Sequence, residues 1–343
     1  MKHLPLETLI AFGSEFLRKR GVTPGKAKFL SRFVMETEAF RSTTHGLTQL
    51  LQMNNLLGKE IDPGRDPVIV KDKGAMTVID GERTLGILCM KSAAEICMRK
   101  ARKFGVAFAG IRNTSWVGSL GAHLVPVAQA GFLSQAWAQS SNCKDSAPMG
   151  GIDARFSTNP IAVAFPTPGN PVLADFSTAS LSWASVTAMI NRKQKSGVPR
   201  FVNSQGRPSK DPNVFNHGGS IMFSGLDLEG HKFYGLSLFN EALTVLMGGS
   251  ANNFRAKQRQ SAALLVLDPD LFGNRRYYIK EMKRFIRHVK SSRVRPGFDA
   301  VRLPGERGFA ALAQARRKGL PLDNAKLEML EKIAKENGLK KPF

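Results

Sequence analysis

The feature that most restricts how this chain can fold is a change of texture at Pro67. From there short β-like runs succeed one another: VIVKD (68–72), MTVID (76–80) with a Gly-Glu turn after it, VAFAGIRN (106–113), FLSQAWAQ (132–139), PIAVAFPT (160–167), PVLADF (171–176) and AALLVLDP (262–269). Several are bounded by Pro or Gly, the residues that punctuate strands. A helical stretch from about Leu88 to Phe104 precedes the third run. Helices alternate with some of the others, but the many short, non-periodic connections do not follow a regular βαβ series. No GxGxxG follows a strand with an acidic residue about 20 positions on, so the usual dinucleotide fingerprint is absent.

Both ends of the chain read as helix. Leu6, Leu9, Ile10, Phe16 and Leu17 share one face, and Phe29, Leu30, Phe33, Val34 and Thr37 share another. Gly21 ends the first helix, and Thr23 with Pro24 supplies the cap and first position of the second. That helix runs toward RSTTHGL (41–47), which puts His45 just beyond a helix terminus. Near the other end Asp323 or Asn324 can cap a segment with Leu327, Leu330, Ile333 and Ala334 on one side, stopping at Gly338. The polar, Pro- and Gly-rich stretch 193–219 reads as a long surface loop, as decoration rather than a cover over a site. The fold class is therefore α/β of the α+β type. Residues 1–66 read as a helical segment, 67–300 as a central mixed region, and 301–343 as a second helical segment.

With 42% hydrophobic and 22% charged residues the chain can bury a large core. No stretch approaches the roughly 18 to 20 apolar residues of a membrane span, and Glu7 and Glu15 interrupt the start, unlike a secretory signal. A cytoplasmic protein without membrane contact is the expectation. Cys89, Cys97 and Cys143 are widely spaced with no CxxC pair or Cys/His cluster, so they read as free thiols and no metal site is expected. The formal charge of +23 attracts polyanions at long range. Yet Lys and Arg are spread along the chain, and the densest stretch, 275–295, reads as the polar face of a helix carrying Tyr277, Ile279, Phe285 and Val289. No zinc-finger, RNA-recognition or helix-turn-helix pattern accompanies it. A solvated basic surface that draws in dinucleotides and acidic metabolites is favoured over dedicated nucleic-acid binding.

Six motifs follow in one order: THGL (44–47), NTSWVGSLG (113–121), STNPIAVAFP (157–166), LADFST (173–178), GHKFYGLSL (230–238) and RLPGE (302–306). Together they resemble the malate/L-lactate dehydrogenase family over nearly the whole chain. The resemblance implies a sulfolactate/malate dehydrogenase-like fold: a non-Rossmann NAD(P)-binding domain on a largely antiparallel sheet, in the central region, with a helical unit built from both chain ends. It also implies a homodimer, NAD or NADP as cofactor, and a small acidic substrate, a 2-oxo acid or related cyclic imine. Abundant Arg and Lys would accommodate a 2′-phosphate, which favours NADPH. By the same resemblance Val117, Gly118, Ser119, Leu120, Asp175, Phe176, Ser177, His231, Lys232, Pro304, Gly305 and Glu306 line the dinucleotide. The turn GSLGAHL could present backbone N–H groups to a pyrophosphate, although as a lone motif it is better explained by a plain helix start. Asp175 alone reads equally as a strand-end carboxylate, while for Lys232 within GHKFYGLSL a cofactor or substrate role is favoured over that of one more surface cation.

Carbonyl reduction needs a proton for the developing alkoxide, and a near-neutral histidine supplies one well. A single histidine is more often structural, but the match of THGL to the family's SHG makes His45 the expected proton donor, with the Thr44 hydroxyl orienting its ring. Three departures stand against this. Trp116 occupies the place of a second family histidine and cannot exchange a proton at neutral pH. Gln49 replaces an arginine suited to a substrate carboxylate, leaving Arg41, Arg112 or Arg155 to supply the charge. Phe233 adds bulk where the family has Gly. Gln49 and Trp116 are thus the expected substrate-side residues, and His123, two turns on, is a poor substitute acid. The alternative reading is a family member that keeps nucleotide binding but has lost ordinary dehydrogenase chemistry.

Overall fold

The computed structural model describes residues 1–41, 45–141, 143–252 and 259–343, so Thr44 lies outside the described residues. In chain order the elements are β1 (Lys2–Leu4), α1 (Leu6–Lys19), α2 (Pro24–Ala39), α3 (Thr48–Leu56), β2 (Val68–Lys73), β3 (Met76–Asp80), α4 (Gly86–Phe104), β4 (Val106–Thr114) and α5 (Leu120–Gln129). There follow β5 (Leu133–Ser140), β6 (Pro160–Phe165), β7 (Val172–Ser177), α6 (Trp183–Asn191), β8 (Phe201–Val202), β9 (Pro208–Ser209), β10 (Ser220–Ile221) and α7 (Leu226–Leu246). The chain closes with β11 (Gln260–Leu267), α8 (Pro269–Phe272), α9 (Arg275–Lys290), α10 (Glu306–Lys318), β12 (Leu320–Leu322) and α11 (Asn324–Glu336).

Seven strands form one sheet in the order β2-β3-β4-β11-β5-β6-β7. Only β3 and β4 run parallel, joined through α4; the other five pairings are antiparallel. One face is surfaced by small residues, Ala107, Ala109, Ala136, Ala138, Ala162, Ala164 and Ala262, which let α4 and α5 pack close beneath Leu264 and Val266 in a single buried cluster. The opposite face packs Phe108, Trp137, Ile161 and Ala263 against Leu243 of α7. A separate core joins α1, α2 and α3 to Ala315, Leu322, Leu330 and Ile333 near the C-terminus. Antiparallel pairing of β1 with β12 ties the two chain ends together.

Two sequence expectations need correction. Residues 193–219 are not a plain loop, because β8, β9 and β10 form a three-stranded sheet with a 3-10 turn at Pro212–His217. Phe201 and Ile221 fix it by burial against Ala179 and Val186. Two-residue strands are too short to show a period, so composition alone read them as loop. In α9 Tyr277 and Phe285 stand outward, 67% and 56% exposed, whereas Tyr278, Ile279, Met282, Ile286 and Val289 are half-buried; the helix is as expected but its packed face is rotated. No helix was expected from the sequence over α7, which runs for 21 residues. Its sheet side buries Ser237, Asn240 and Thr244, and its outer side exposes Leu236, Phe239 and Leu246, the reverse of the ordinary amphipathic order. The polar side is spent on the sheet. Asn159, held at φ 39, donates to Ser237 Oγ at 2.9 Å and Glu241 Oε1 at 3.0 Å, and Asn240 donates to the Ala138 carbonyl at 3.0 Å. No helix among the described residues is long and apolar enough to cross a membrane.

Candidate active site

Between the helical unit and the sheet opens a cavity of about 1670 Å³. Its walls come from α2 (Phe29, Phe33, Thr37), the turn before α3 and its first residues (His45, Gln49), the β4–α5 connection (Trp116, Gly118, Ser119, Leu120), β7 (Asp175, Phe176, Ser177) and the approach to α10 (Leu303, Pro304, Gly305).

His45 is placed by a carboxylate that sequence reasoning passed over. Glu38 is buried on α2, one turn beyond Val34 and on the same apolar face. It accepts the Leu47 N–H at 2.9 Å and pairs with Lys326 Nζ of α11 at 2.6 Å. A side chain at position 46 would meet Glu38 Oε2 at 2.1 Å and its Cα at 2.8 Å, so the glycine of THGL is demanded by close backbone approach. An acid within the apolar stripe of an amphipathic helix was the available signal for Glu38, since such a group is seldom buried without a partner.

Burial lowers the pKa of the His45 imidazole below its ordinary value, and the Asp175 carboxylate facing it opposes that shift. Asp175 in turn accepts Ser119 Oγ at 2.9 Å and the Gly121 N–H at 2.8 Å, a carboxylate seated at the positive end of α5. Ser119 caps the same helix by accepting from Ala122 N. The GSLGAHL turn is therefore a helix start whose Gly121 N–H is already occupied by Asp175.

Backbone comes close to side chains along this wall. Gly118 and Gly305 have φ of 76° and 91°, and Leu173 N–H donates to the Pro304 carbonyl at 3.1 Å. The resulting lane offers apolar walls at Leu120 and Leu173 and hydroxyls at Ser177, Ser180 and Ser182. At its edge stand the exposed Arg192 and Arg307, with no acidic partner among the described residues. That donor set fits an extended dinucleotide: apolar contact for a ring, hydroxyls for ribose, guanidinium groups for phosphate.

Other expected residues lie elsewhere. Val117 is buried behind the lane, its N–H donating to Gln260 Oε1 at 2.8 Å and its carbonyl 2.7 Å from His123 Nε2. His123 stacks on Phe33 at 4.5 Å between ring centroids, and burial pushes its pKa down to about 4, so it supports the lane as a neutral ring. Glu306 turns to Lys290. His231 and Lys232 are exposed on α7, Lys232 paired with Glu229, and neither lines the cavity; nor does Phe233. Of the three candidate arginines, Arg112 pairs with Asp80 at 2.9 Å and Arg155 with Asp153 at 2.7 Å, both away from the cavity, while Arg41 stands on its rim.

A family model described as malate/L-lactate dehydrogenase matches residues 4–331. A malate dehydrogenase of Pyrococcus abyssi is 26% identical over 98% of this chain and 95% of its own length. A delta(1)-pyrroline-2-carboxylate/delta(1)-piperideine-2-carboxylate reductase of Pseudomonas syringae pv. tomato is 26% identical over 92% of this chain and 91% of its own. The solved structure of sulfolactate dehydrogenase from Methanocaldococcus jannaschii superposes with a TM-score of 0.88 at 26% identity, covering 99% of this chain and 98% of the other.

Proposed function

The chain belongs to the malate/L-lactate dehydrogenase family and is an NAD(P)-dependent oxidoreductase, and from that premise we propose that it reduces a 2-oxo acid or related cyclic imine, with His45 delivering the proton. The observation that carries this reading is the placement of His45 in the cavity wall, opposite the helix-capping carboxylate of Asp175.

A bound reduced nicotinamide supplies the hydride. The chain's own residues do the rest. The lane from Gly118 to Leu120 and from Asp175 to Ser177 orients the dinucleotide, and Arg192 or Arg307 meets phosphate, which suits the 2′-phosphate of NADPH as well as a pyrophosphate. Arg41 on the rim supplies the positive charge that Gln49 lacks. His45 gives its proton to the developing alkoxide or amine, and Asp175 stabilises the imidazolium it would otherwise be costly to form in a buried place.

The pH dependence has a definite sign. Reduction requires protonated His45, so its rate falls as pH rises through a pKa below the ordinary histidine value. Oxidation requires the neutral ring and falls as pH drops through the same range. The test is the loss of NADH or NADPH absorbance with a panel of 2-oxo acids and cyclic imines, repeated across pH. Turnover with that acid-favoured profile is expected; the absence of turnover with every member of the panel and both cofactors would remove the assignment.

A further inference from the structure

Helix α9 carries seven Lys and Arg residues and a single acid, Glu281. Three of these cations are engaged: Arg275 by Asp268 at 3.1 Å and Asp270 at 3.2 Å, Arg284 by Glu281 at 2.6 Å, and Lys290 by Glu306. The other four, Arg276, Lys280, Lys283 and Arg287, are exposed and have no acidic partner among the described residues. Successive steps of four, three and four positions set them within about 60° of one another around the helix, in one straight stripe about 16 Å long. Like charges at these spacings repel, so the stripe weakens rather than stabilises α9 as an isolated helix. Arg293 and Arg295 follow past the helix end, Arg295 lying 4.7 Å over the Phe298 ring. None of these residues lines the cavity that holds His45.

We propose that the stripe Arg276, Lys280, Lys283 and Arg287 binds the phosphate backbone of single-stranded nucleic acid, on a surface separate from the oxidoreductase cavity. A flexible, evenly charged line of phosphates can lay one charge against each cation in turn. Tyr277, 67% exposed and one turn before Lys280, offers a ring beside the stripe on which a base can stack. The net charge of +23 draws any polyanion toward the chain, and the stripe gives it a defined seat. No base-reading motif accompanies the helix, so the contact is with phosphate and independent of sequence. An anionic bilayer fits this surface less well. A basic helix lying on lipid buries its apolar side there, but on α9 that side, with Tyr278, Ile279, Met282, Ile286 and Val289, is already half-buried against the rest of the chain.

Fluorescence anisotropy of a labelled single-stranded oligonucleotide of about 20 nucleotides, titrated with the full chain, tests this. Four phosphate contacts give a slope of log K against log salt of about −3, a loss of roughly 50-fold between about 50 and 200 mM salt. The combined variant Arg276→Gln, Lys280→Gln, Lys283→Gln and Arg287→Gln should weaken binding at low salt by at least about 10-fold and flatten that slope. Its melting should be unchanged, because all four side chains are exposed and Gln suits a helix. A control variant loses the same charge elsewhere, through Lys28→Gln, Lys59→Gln, Lys71→Gln and Lys73→Gln, all exposed, and should bind much as the wild type does. Unchanged binding in the α9 variant, or an equal loss in both variants, means that net charge alone attracts the strand and overturns the site. Absence of wild-type binding at low salt overturns it as well, and so does a preference for vesicles of phosphatidylserine and phosphatidylcholine over the oligonucleotide.

Discussion

Replacing His45 with Ala is expected to lower turnover by roughly 10²-fold or more and to leave nicotinamide affinity nearly unchanged. The side chain belongs to the cavity wall, while the lane suited to the dinucleotide is made by other residues, from Gly118 to Leu120, Asp175 to Ser177 and Leu303 to Gly305. Loss of the imidazole removes the proton donor and the partner of Asp175, but leaves Asp175 bound to Ser119 and Gly121. The defect should therefore lie in kcat rather than in cofactor binding. The acid-favoured limb of the reduction profile should vanish with it. Unchanged turnover in the variant would take His45 out of the chemistry.

The second large effect is expected at Glu38, which touches none of the reacting atoms. Glu38→Ala leaves the buried Leu47 N–H without an acceptor and releases Lys326, so α2, the turn holding His45 and α11 lose their common tie. Lys326 is about a quarter exposed and can turn to water, so the ion pair contributes less than a fully buried one. The uncompensated N–H and the lost charged acceptor should together cost about 3 kcal/mol of stability. Glu38→Gln keeps an acceptor for Leu47 and should recover much of the stability and of kcat. Calorimetric melting and steady-state kinetics on both variants check this. Wild-type melting and kcat in Glu38→Ala would show that the tie does not position His45.

Much of the architecture could be read from the sequence because strands buried on both faces appear as compact apolar runs. AALLVLDP and VAFAGIRN are the central β11 and β4, displaced by no more than two residues at their ends. Irregular connections spoke against a regular βαβ series, and the mostly antiparallel sheet was implied by the resemblance that the six motifs carry. No expectation covered α7, whose apolar residues do not mark its packed side. α7 turns Ser237, Asn240 and Thr244 inward because the sheet above it presents Asn159 and the Ala138 carbonyl, so its polar side is its packed side. The candidate site was legible where a motif contributes its own side chain to the cavity, as with His45, Trp116, Ser119 and Asp175. It was not legible where partners are distant in sequence: Glu38 and Lys326 stand 288 positions apart by their numbers, and nothing local links them. The motifs that carry the family resemblance also serve packing. Asn159 of STNPIAVAFP and Ser237 of GHKFYGLSL bond to each other and line no part of the cavity.

Binding of a nicotinamide dinucleotide in the cavity beside His45 can be read by fluorescence titration with NADH and NADPH. Two of the three tryptophans, Trp116 and Trp183, line that cavity, so energy transfer to a bound reduced nicotinamide should be efficient. Saturable sensitised emission with a dissociation constant on the order of micromolar is predicted for at least one of the two cofactors, and the tighter one names the physiological partner. No binding of either at low ionic strength, where a chain of net charge +23 attracts a dinucleotide most strongly, would contradict the account.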